Sequence, residues 1–219
     1  LTFCNNTVKN NPNVNNNPIM TFSAKEILIE DCEFSENKYS NQIGGGIGIR
    51  FNCSNFTVTF RHCVFKENSG NVGGALQFGG KLSEQNENTG KLEIYDCRFE
   101  GNIAIGAGGA LSFTSQKENI IQDCIFDNNF AKRNAGSICI ISSNEAYGYY
   151  FAGEDESINQ IINCQFIEST SNKDIKTMYI MNRGKSIVEG CTFTNVKKGG
   201  SGSQAMTQRQ NHWPESSGL

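Results

Sequence analysis

Proline, tryptophan and histidine are scarce in this chain of 219 residues, which contains 3 Pro, 1 Trp and 2 His. Its apolar runs are short, and none approaches the roughly 18 residues that a membrane-spanning helix requires. Lys and Arg are dispersed and the net charge is -3, so there is no basic stripe to bind a nucleic-acid backbone. The sequence therefore indicates no membrane span in this chain and no nucleic-acid partner.

Metal ligands are poorly arranged as well. The 9 cysteines include no Cys-x-x-Cys pair, and the two histidines, His62 and His212, lie far apart in the chain. No calcium-binding nonapeptide repeat is present. Because these spacings do not match a zinc site, we expect no metal site and no cofactor.

What the chain does contain is a repeat built on Cys-x-Phe. Its six copies are Cys32/Phe34, Cys63/Phe65, Cys97/Phe99, Cys124/Phe126, Cys164/Phe166 and Cys191/Phe193. In four copies an Asn follows the Phe by three positions, at Asn37, Asn68, Asn102 and Asn129. Small residues and a short apolar strand come about ten residues after the Cys, as in GGALQF from Gly73 and GGALSF from Gly108.

A unit of about 30 residues that is made of short strands cannot bury its apolar face alone. Stacking such units as a parallel β-helix buries it, and equivalent residues of neighbouring coils then lie about 4.8 Å apart. Cys and Phe would point inward, Asn would satisfy backbone groups at a bend, and the glycines would pass a crowded corner. We therefore predict an all-β fold, a parallel β-helix of about six coils with irregular loops at the turns.

The predicted β-helix covers residues 1–196 and has an irregular N-terminal coil. Residues 197–219 are predicted to form a C-terminal cap or linker, because no repeat is recognisable there. The longest step between copies carries an insertion at 142–156. Since the chain begins at Leu1 without a signal peptide, we expect a mature or excised fragment of a longer protein.

The GGAL tetrapeptides, together with Phe-x-x-Asn at 65–68, 99–102 and 126–129, resemble the repeats of the chlamydial polymorphic outer membrane proteins and of related protist surface proteins. The resemblance covers about residues 27–195. It implies a right-handed parallel β-helix that is exposed at a cell surface and has an adhesive or structural role. Because the matching residues are core and corner positions, they are specific for architecture and weak for function.

The cysteines and the acids that precede them each allow two interpretations. The repeated Cys residues would pack as small hydrophobes in a core stack, although adjacent coils also place Cα atoms within disulfide range. Asp31, Asp96 and Asp123 precede a Cys of the repeat, and acids in adjacent coils could form a catalytic pair. We favour a turn-forming role for them, because no Arg, Lys or His recurs beside them. No catalytic residue is therefore assigned.

Two further features suggest extracellular contacts. The sequons at Asn5, Asn52 and Asn55 would accept glycans in a eukaryotic secretory pathway. The insertion carries an aromatic group, Tyr147, Tyr149, Tyr150 and Phe151, followed by acidic residues. This group would either fold over the flank of the helix or contact a partner protein or a sugar.

The leading hypothesis is a non-enzymatic, extracellular or cell-surface β-helix that serves as a structural or adhesive module. Its partners would be protein neighbours in a surface or filament assembly, or glycans. The alternative is a pectate lyase-like carbohydrate-active enzyme, a polysaccharide lyase or glycoside hydrolase, because parallel β-helices also carry such activities. An enzyme requires acids and bases that converge on one groove, whereas a scaffold has uniform ladder faces.

Overall fold

The computed structural model of the chain describes residues 2–4, 7–8, 20–22, 25–39, 47–51, 56–78, 90–114, 117–141, 157–172, 175–181, 184–195 and 204–209. Every regular element in these ranges is a β-strand. A helix long and apolar enough to cross a membrane is not found within them.

The strands form four parallel sheets, A to D. Sheet A contains β1 (Thr2–Cys4), β5 (Glu33–Ser35), β9 (Val64–Lys66), β13 (Arg98–Glu100), β17 (Ile125–Asp127), β21 (Gln165–Ile167) and β25 (Thr192–Thr194). Sheet B contains β2 (Thr7–Val8), β6 (Lys38–Tyr39), β10 (Ser69–Gly70), β14 (Ile103–Ala104), β18 (Phe130–Ala131) and β22 (Thr170–Ser171). Sheet C contains β3 (Met20–Phe22), β7 (Ile47–Phe51), β11 (Leu76–Phe78), β15 (Leu111–Thr114), β19 (Ile138–Ile141), β23 (Ile175–Met181) and β26 (Gln204–Arg209). Sheet D contains β4 (Glu26–Glu30), β8 (Thr57–Arg61), β12 (Lys91–Tyr95), β16 (Glu118–Gln122), β20 (Ile158–Ile162) and β24 (Lys185–Glu189).

The chain visits the sheets in a constant order, D then A, B and C, and each strand pairs in parallel with the equivalent strand one coil away. The register follows the sequence repeat, since Phe65 pairs with Phe34 on one side and Phe99 on the other. The predicted all-β parallel β-helix is confirmed.

The well-packed part of the solenoid is shorter than the six coils expected. Buried residues occur in all four sheets in four coils, namely β8–β11, β12–β15, β16–β19 and β20–β23. In the first and last coils the sheet D strands are only partly buried: Ile27 and Ile29 in β4, and Val188 in β24, pack at the edge of the core. Strands β4 and β24 are the two edge strands of sheet D and each has a neighbour on one side only in the described part, which leaves their inward side chains less covered.

Two sharp bends recur in every coil, and each is made by one residue with positive φ. The bend from sheet D to sheet A lies directly before the repeated Cys, at Asp31, His62, Asp96, Asp123, Asn163 and Gly190. The bend from sheet A to sheet B lies at Glu36, Glu67, Gly101, Asn128, Glu168 and Asn195. All twelve φ values fall between 49° and 64°, so a single left-handed residue turns the chain without a loop.

The glycine pairs lie at the corner that leads into sheet C. Gly73 and Gly108 have φ values of 66° and 68°, but Ala135 holds the same position in the next coil with a φ of 58°. The second glycine of each pair is the more crowded one. A Cβ on Gly109 would overlap the carbonyl oxygen of Gly136 in the next coil and lie 2.7 Å from the carbonyl of Phe130.

The segment predicted as a cap or linker contributes one strand within the described residues. This strand, β26, pairs in parallel with β23 at the end of sheet C, and the register shifts between Ile175 and Met178. The segment therefore extends one sheet beyond the last Cys-x-Phe copy.

Candidate functional site

The Phe residues of the repeat form one continuous stack along the inside of sheet A. Ring centroids from Phe34 to Phe193 are 4.7–5.0 Å apart and successive rings lie within 4–11° of parallel. This spacing is set by the distance between strands, and offset stacking is favourable at it. Phe34 to Phe166 are 0–1% exposed, whereas Phe193 is 38% exposed. Phe193 therefore shields Phe166 from solvent, while its own outer side is partly exposed.

The Asn residues form a second ladder at the bend from sheet A to sheet B, and all four are buried. Asn68 shows the pattern: its Oδ1 accepts from the backbone N–H of Asn37 at 3.0 Å and from the Asn37 amide at 2.8 Å. Its Nδ2 donates to the Phe34 carbonyl at 2.9 Å and to Asn102 Oδ1 at 3.0 Å. The pattern uses both the donor and the acceptor of the amide, which explains why Asn occupies this position.

The Cys residues form a third ladder. Each thiol donates to the carbonyl oxygen two residues earlier, over 3.1–3.4 Å. Cys32, Cys63, Cys97, Cys124 and Cys164 are buried, Cys191 is half-buried, and all six are free thiols. Burial raises the pKa of Cys124 well above its ordinary value. Cys139, in sheet C, is also buried, and its burial raises its pKa to about 12.

A row of exposed, ionisable side chains follows the bend from sheet D to sheet A. His62 lies between two acids: its Nδ1 is 3.5 Å from Asp31 Oδ1 and its Nε2 is 4.0 Å from Asp96 Oδ2. Asp123 takes the same position in the next coil. A single His therefore lies in this row of acids, which is compatible with the expectation that no Arg, Lys or His recurs beside them. The signal was present, because His62 precedes Cys63 as Asp31 precedes Cys32.

The outer face of sheet D continues this row with paired charges. Lys91 Nζ lies 3.0 Å from carboxylate oxygens of both Glu93 and Glu118, and Thr59 donates to Glu93 at 2.9 Å. The hydrogen bond to Glu93 raises the pKa of Lys91 against the effect of burial. Burial acts to raise the pKa of Glu93, but the hydrogen bonds from Lys91 and Thr59 outweigh it and the net pKa is lowered.

Beside His62 lies a cation over an aromatic ring. The guanidinium carbon of Arg61 is 5.7 Å from the centroid of the Tyr95 ring, which is a cation–π distance. Arg61 directly precedes His62, and Tyr95 directly precedes Asp96. An acid, an imidazole, a guanidinium and a phenol thus lie on two adjacent coils at one exposed edge.

The interior also contains polar groups that sequence reasoning missed. In sheet D the inward row of Ile27, Val58 and Leu92 continues with Asn119 and Asn159. The Asn119 amide donates to Asn159 Oδ1 at 2.8 Å, while Asn119 Oδ1 is buried and accepts no hydrogen bond within the described residues. The row changes from apolar to polar between β12 and β16, where Leu92 is the register partner of Asn119.

Several residues singled out from the sequence lie outside the described residues. They are the sequon residues Asn5, Asn52 and Asn55 and the aromatic residues Tyr147, Tyr149, Tyr150 and Phe151. Within the described ranges, no group of three or more His, Cys, Asp or Glu side chains is arranged to hold a metal ion.

Comparison with known proteins adds no relative. No family model matches the chain, and neither curated proteins nor solved structures give a match.

Proposed function

We propose that this chain is a non-enzymatic structural or adhesive module of a surface or filament protein, located outside the cell or at its surface. The observation that carries the proposal is a set of three ladders: the Phe and Cys ladders run through all six copies of the repeat, and the Asn ladder runs through four of them. Phe, Asn and Cys residues are stacked coil upon coil, so these buried side chains hold neighbouring coils in register. Such packing gives a stiff rod whose outward side chains and loops are held at fixed spacing.

Resemblance to the chlamydial polymorphic outer membrane protein repeats supports the same proposal, since it rests on the Phe and Asn residues that build these ladders. The partners would be neighbouring proteins of the assembly or glycans. The aromatic insertion, which includes Tyr147 and Tyr150, is the contact region that we propose, because Tyr and Phe offer large contact areas at low entropic cost.

A binding experiment tests this proposal. The chain would be immobilised and exposed to a glycan array and to surface extracts of its source cells, alongside a variant lacking residues 147–153. We expect the deletion to abolish binding and to leave the melting temperature nearly unchanged. If the deletion lowers the melting temperature sharply and binding persists, the aromatic residues belong to the core and the contact proposal for this insertion is wrong.

One observation favours the second candidate, a carbohydrate-active enzyme. His62 between Asp31 and Asp96, with Arg61 and Tyr95 alongside, places acid, base and cation on one exposed edge. In such an enzyme His62 or an acid would act as general acid or base on a glycosidic linkage or a uronate proton.

A panel of polyuronides and neutral glycans separates the two functions. Under the structural proposal no product forms with the wild-type chain. Depolymerisation that is lost in Asp96→Asn and in His62→Gln, but kept in Asp127→Asn on the outer face of sheet A, would establish the enzyme and overturn the structural proposal.

A further inference from the structure

The ladder thiols are held side by side by the main chain. The carbonyl oxygen of each repeated Cys that is followed by another copy accepts a hydrogen bond from the next coil, from the N–H of the residue directly after the Cys there. Examples are Arg98 N–H to Cys63 O and Thr192 N–H to Cys164 O, both at 2.9 Å. Consecutive Cys residues are therefore one strand spacing apart, about 4.8 Å. That distance lies within the Cα separation of about 4.4–6.8 Å that a disulfide spans.

Access to this ladder is uneven. Cys97 is 2% exposed, and Cys124 and Cys164 are fully buried, so reagents in solution cannot reach them in the folded chain. Cys191 is half-buried, and all three residues of the following strand β25 are exposed. The described part of the ladder is thus open to an oxidant at Cys191.

The last coil also has the freedom that a cross-link needs. In-register Cβ atoms lie about 4.8 Å apart, while a disulfide brings them to about 3.8 Å. Strand β25 pairs with β21 on one side, and no described strand lies on its other side. An interior coil is hydrogen-bonded to a coil on each side, so a shift of about 1 Å toward one neighbour would stretch its hydrogen bonds to the other. The end coil can make this shift without breaking such bonds.

We propose that Cys164 and Cys191 are an oxidation site, and that they form a disulfide when the protein meets a small disulfide such as oxidised glutathione. The cross-link joins β25 to the packed coils and fixes the exposed end of the solenoid. The inference stands on the ladder geometry and is independent of the function proposed above.

The chemistry is thiol–disulfide exchange in two steps. The Cys191 thiolate attacks one sulfur of oxidised glutathione, which forms a mixed disulfide and releases one glutathione thiolate. The Cys164 thiolate then attacks the Cys191 sulfur, which forms the internal disulfide and releases the second. The two protons lost by the cysteines end on the two glutathione thiols, so the protein is oxidised by two electrons and glutathione is reduced by two.

The thiol environment sets the rate. A hydrogen bond with Cys164 raises the pKa of Cys191, so the first step is slow near neutral pH and faster in alkaline buffer. Hydrogen bonds with Cys124 and Cys191 lower the pKa of Cys164, which favours the thiolate that the second step requires.

The test is a peptide map of the native chain after incubation with oxidised glutathione at about pH 8.5, digested without reductant. Lys173 and Lys185 lie between the two cysteines, so trypsin places them on separate peptides, 134–173 and 186–197. We expect these two peptides to be linked and lighter by two hydrogens, with fragmentation placing the bond at Cys164 rather than Cys139. A mixed glutathione disulfide that persists at Cys191, or an unreacted Cys191, would overturn the proposal.

Matched variants and a second readout complete the test. Cys191→Ser should abolish the linked peptide, whereas Cys32→Ser, at the other end of the ladder, should keep it. In the wild-type chain, oxidation should slow amide exchange in β25 at least about tenfold and leave β13 unchanged, because the cross-link limits local opening of the last coil. Equal exchange in the linked and reduced forms would show that the bond does not fix this coil.

Discussion

Phe99 stacks on Phe126 with ring centroids 4.8 Å apart and planes within 4° of parallel. Phe99 is fully buried between two such neighbours. Replacing it with Ala removes both contacts and leaves a cavity, so we expect a loss of about 3–5 kcal/mol in unfolding free energy. Denaturant unfolding monitored by circular dichroism measures this loss.

The control for that substitution is Phe193→Ala. Phe193 is 38% exposed and stacks on one ring, Phe166, at 4.9 Å. We expect less than half of the loss seen at Phe99, because less surface returns to water. Equal losses of unfolding free energy at the two sites would contradict the view that burial by neighbouring coils determines how much each ring stabilises the fold.

A second prediction concerns the amide ladder. In Asn102→Asp the carboxylate cannot donate to the Phe65 carbonyl or to Asn129 Oδ1, which Asn102 Nδ2 contacts at 2.9 Å each. A buried negative charge would instead face these two acceptor oxygens. We therefore expect the unfolding free energy to fall by about 3 kcal/mol or more, as measured by denaturant unfolding at pH 7.

Asn128→Asp is the matched control for this substitution. Asn128 is the exposed neighbour at the bend and has a φ of 50°. Since Asp31, Asp96 and Asp123 adopt similar backbone angles in the other bend, a change within about 0.5 kcal/mol is expected. A large effect at Asn128 would show that the bend, and not the hydrogen-bond ladder, is sensitive to charge.

A third prediction concerns the glycine corner. In Gly109→Ala the new Cβ would overlap the backbone of the next coil, so the coils must separate locally, and we expect a drop in melting temperature of several degrees or failure to fold. Gly101→Ala is the comparison, because its φ is 62° but the nearest atom to a Cβ is Glu67 Cγ at 3.5 Å. For Gly101→Ala we expect the unfolding free energy to fall by about 1 kcal/mol, because the substitution introduces backbone strain but no overlap. Reversal of this order in thermal unfolding would refute the crowded-corner interpretation.

A fourth prediction is the pH dependence of the ion pair on sheet D. The folded-state pKa of Glu93 is lowered, so its contribution is present above the unfolded Glu pKa and is lost as the pH falls through the folded value. The pKa of Lys91 is raised, so its contribution is present below the unfolded Lys pKa and is lost as the pH rises through the folded value. The pair therefore stabilises the chain between these limits, by about 0.5–1 kcal/mol.

A double-mutant cycle with Lys91→Met and Glu93→Gln measures this coupling. We expect the coupling energy to be present at pH 7 and to fall as the pH is lowered through the folded-state pKa of Glu93. A coupling that does not change with pH would show that packing, and not charge, links the two side chains.

The sequence predicted the parts of the fold that depend on repetition. The Cys-x-Phe spacing was sufficient for the architecture, because stacked coils bring equivalent residues together whatever the loop lengths between them. His62 was not predicted to lie beside the acids because only Asp residues were compared at the bend from sheet D to sheet A. A comparison of every residue directly before a repeated Cys would have included it. The second bend could not be recognised from residue type, since Glu36, Gly101 and Asn128 share only their backbone angle.

Other features depend on contacts that no single strand reveals. Asn119 and Asn159 read as ordinary polar residues in short strands, and only the register of sheet D shows that they face the interior. The crowding at Gly109 arises from the backbone of the next coil, which the local sequence does not describe.

The direction of the hydrogen bonds has a mechanical consequence. Backbone bonds such as Ile125 N–H to Cys97 O, at 3.0 Å, join one coil to the next and so run along the axis of the solenoid. Tension between the two ends loads the interfaces between coils in series, and the weakest interface determines the force at which the rod yields. Because Phe193 and β25 are the least covered part of the described core, the rod would unwind from that end one coil at a time, and each released coil would lengthen it by about 30 extended residues, on the order of 100 Å.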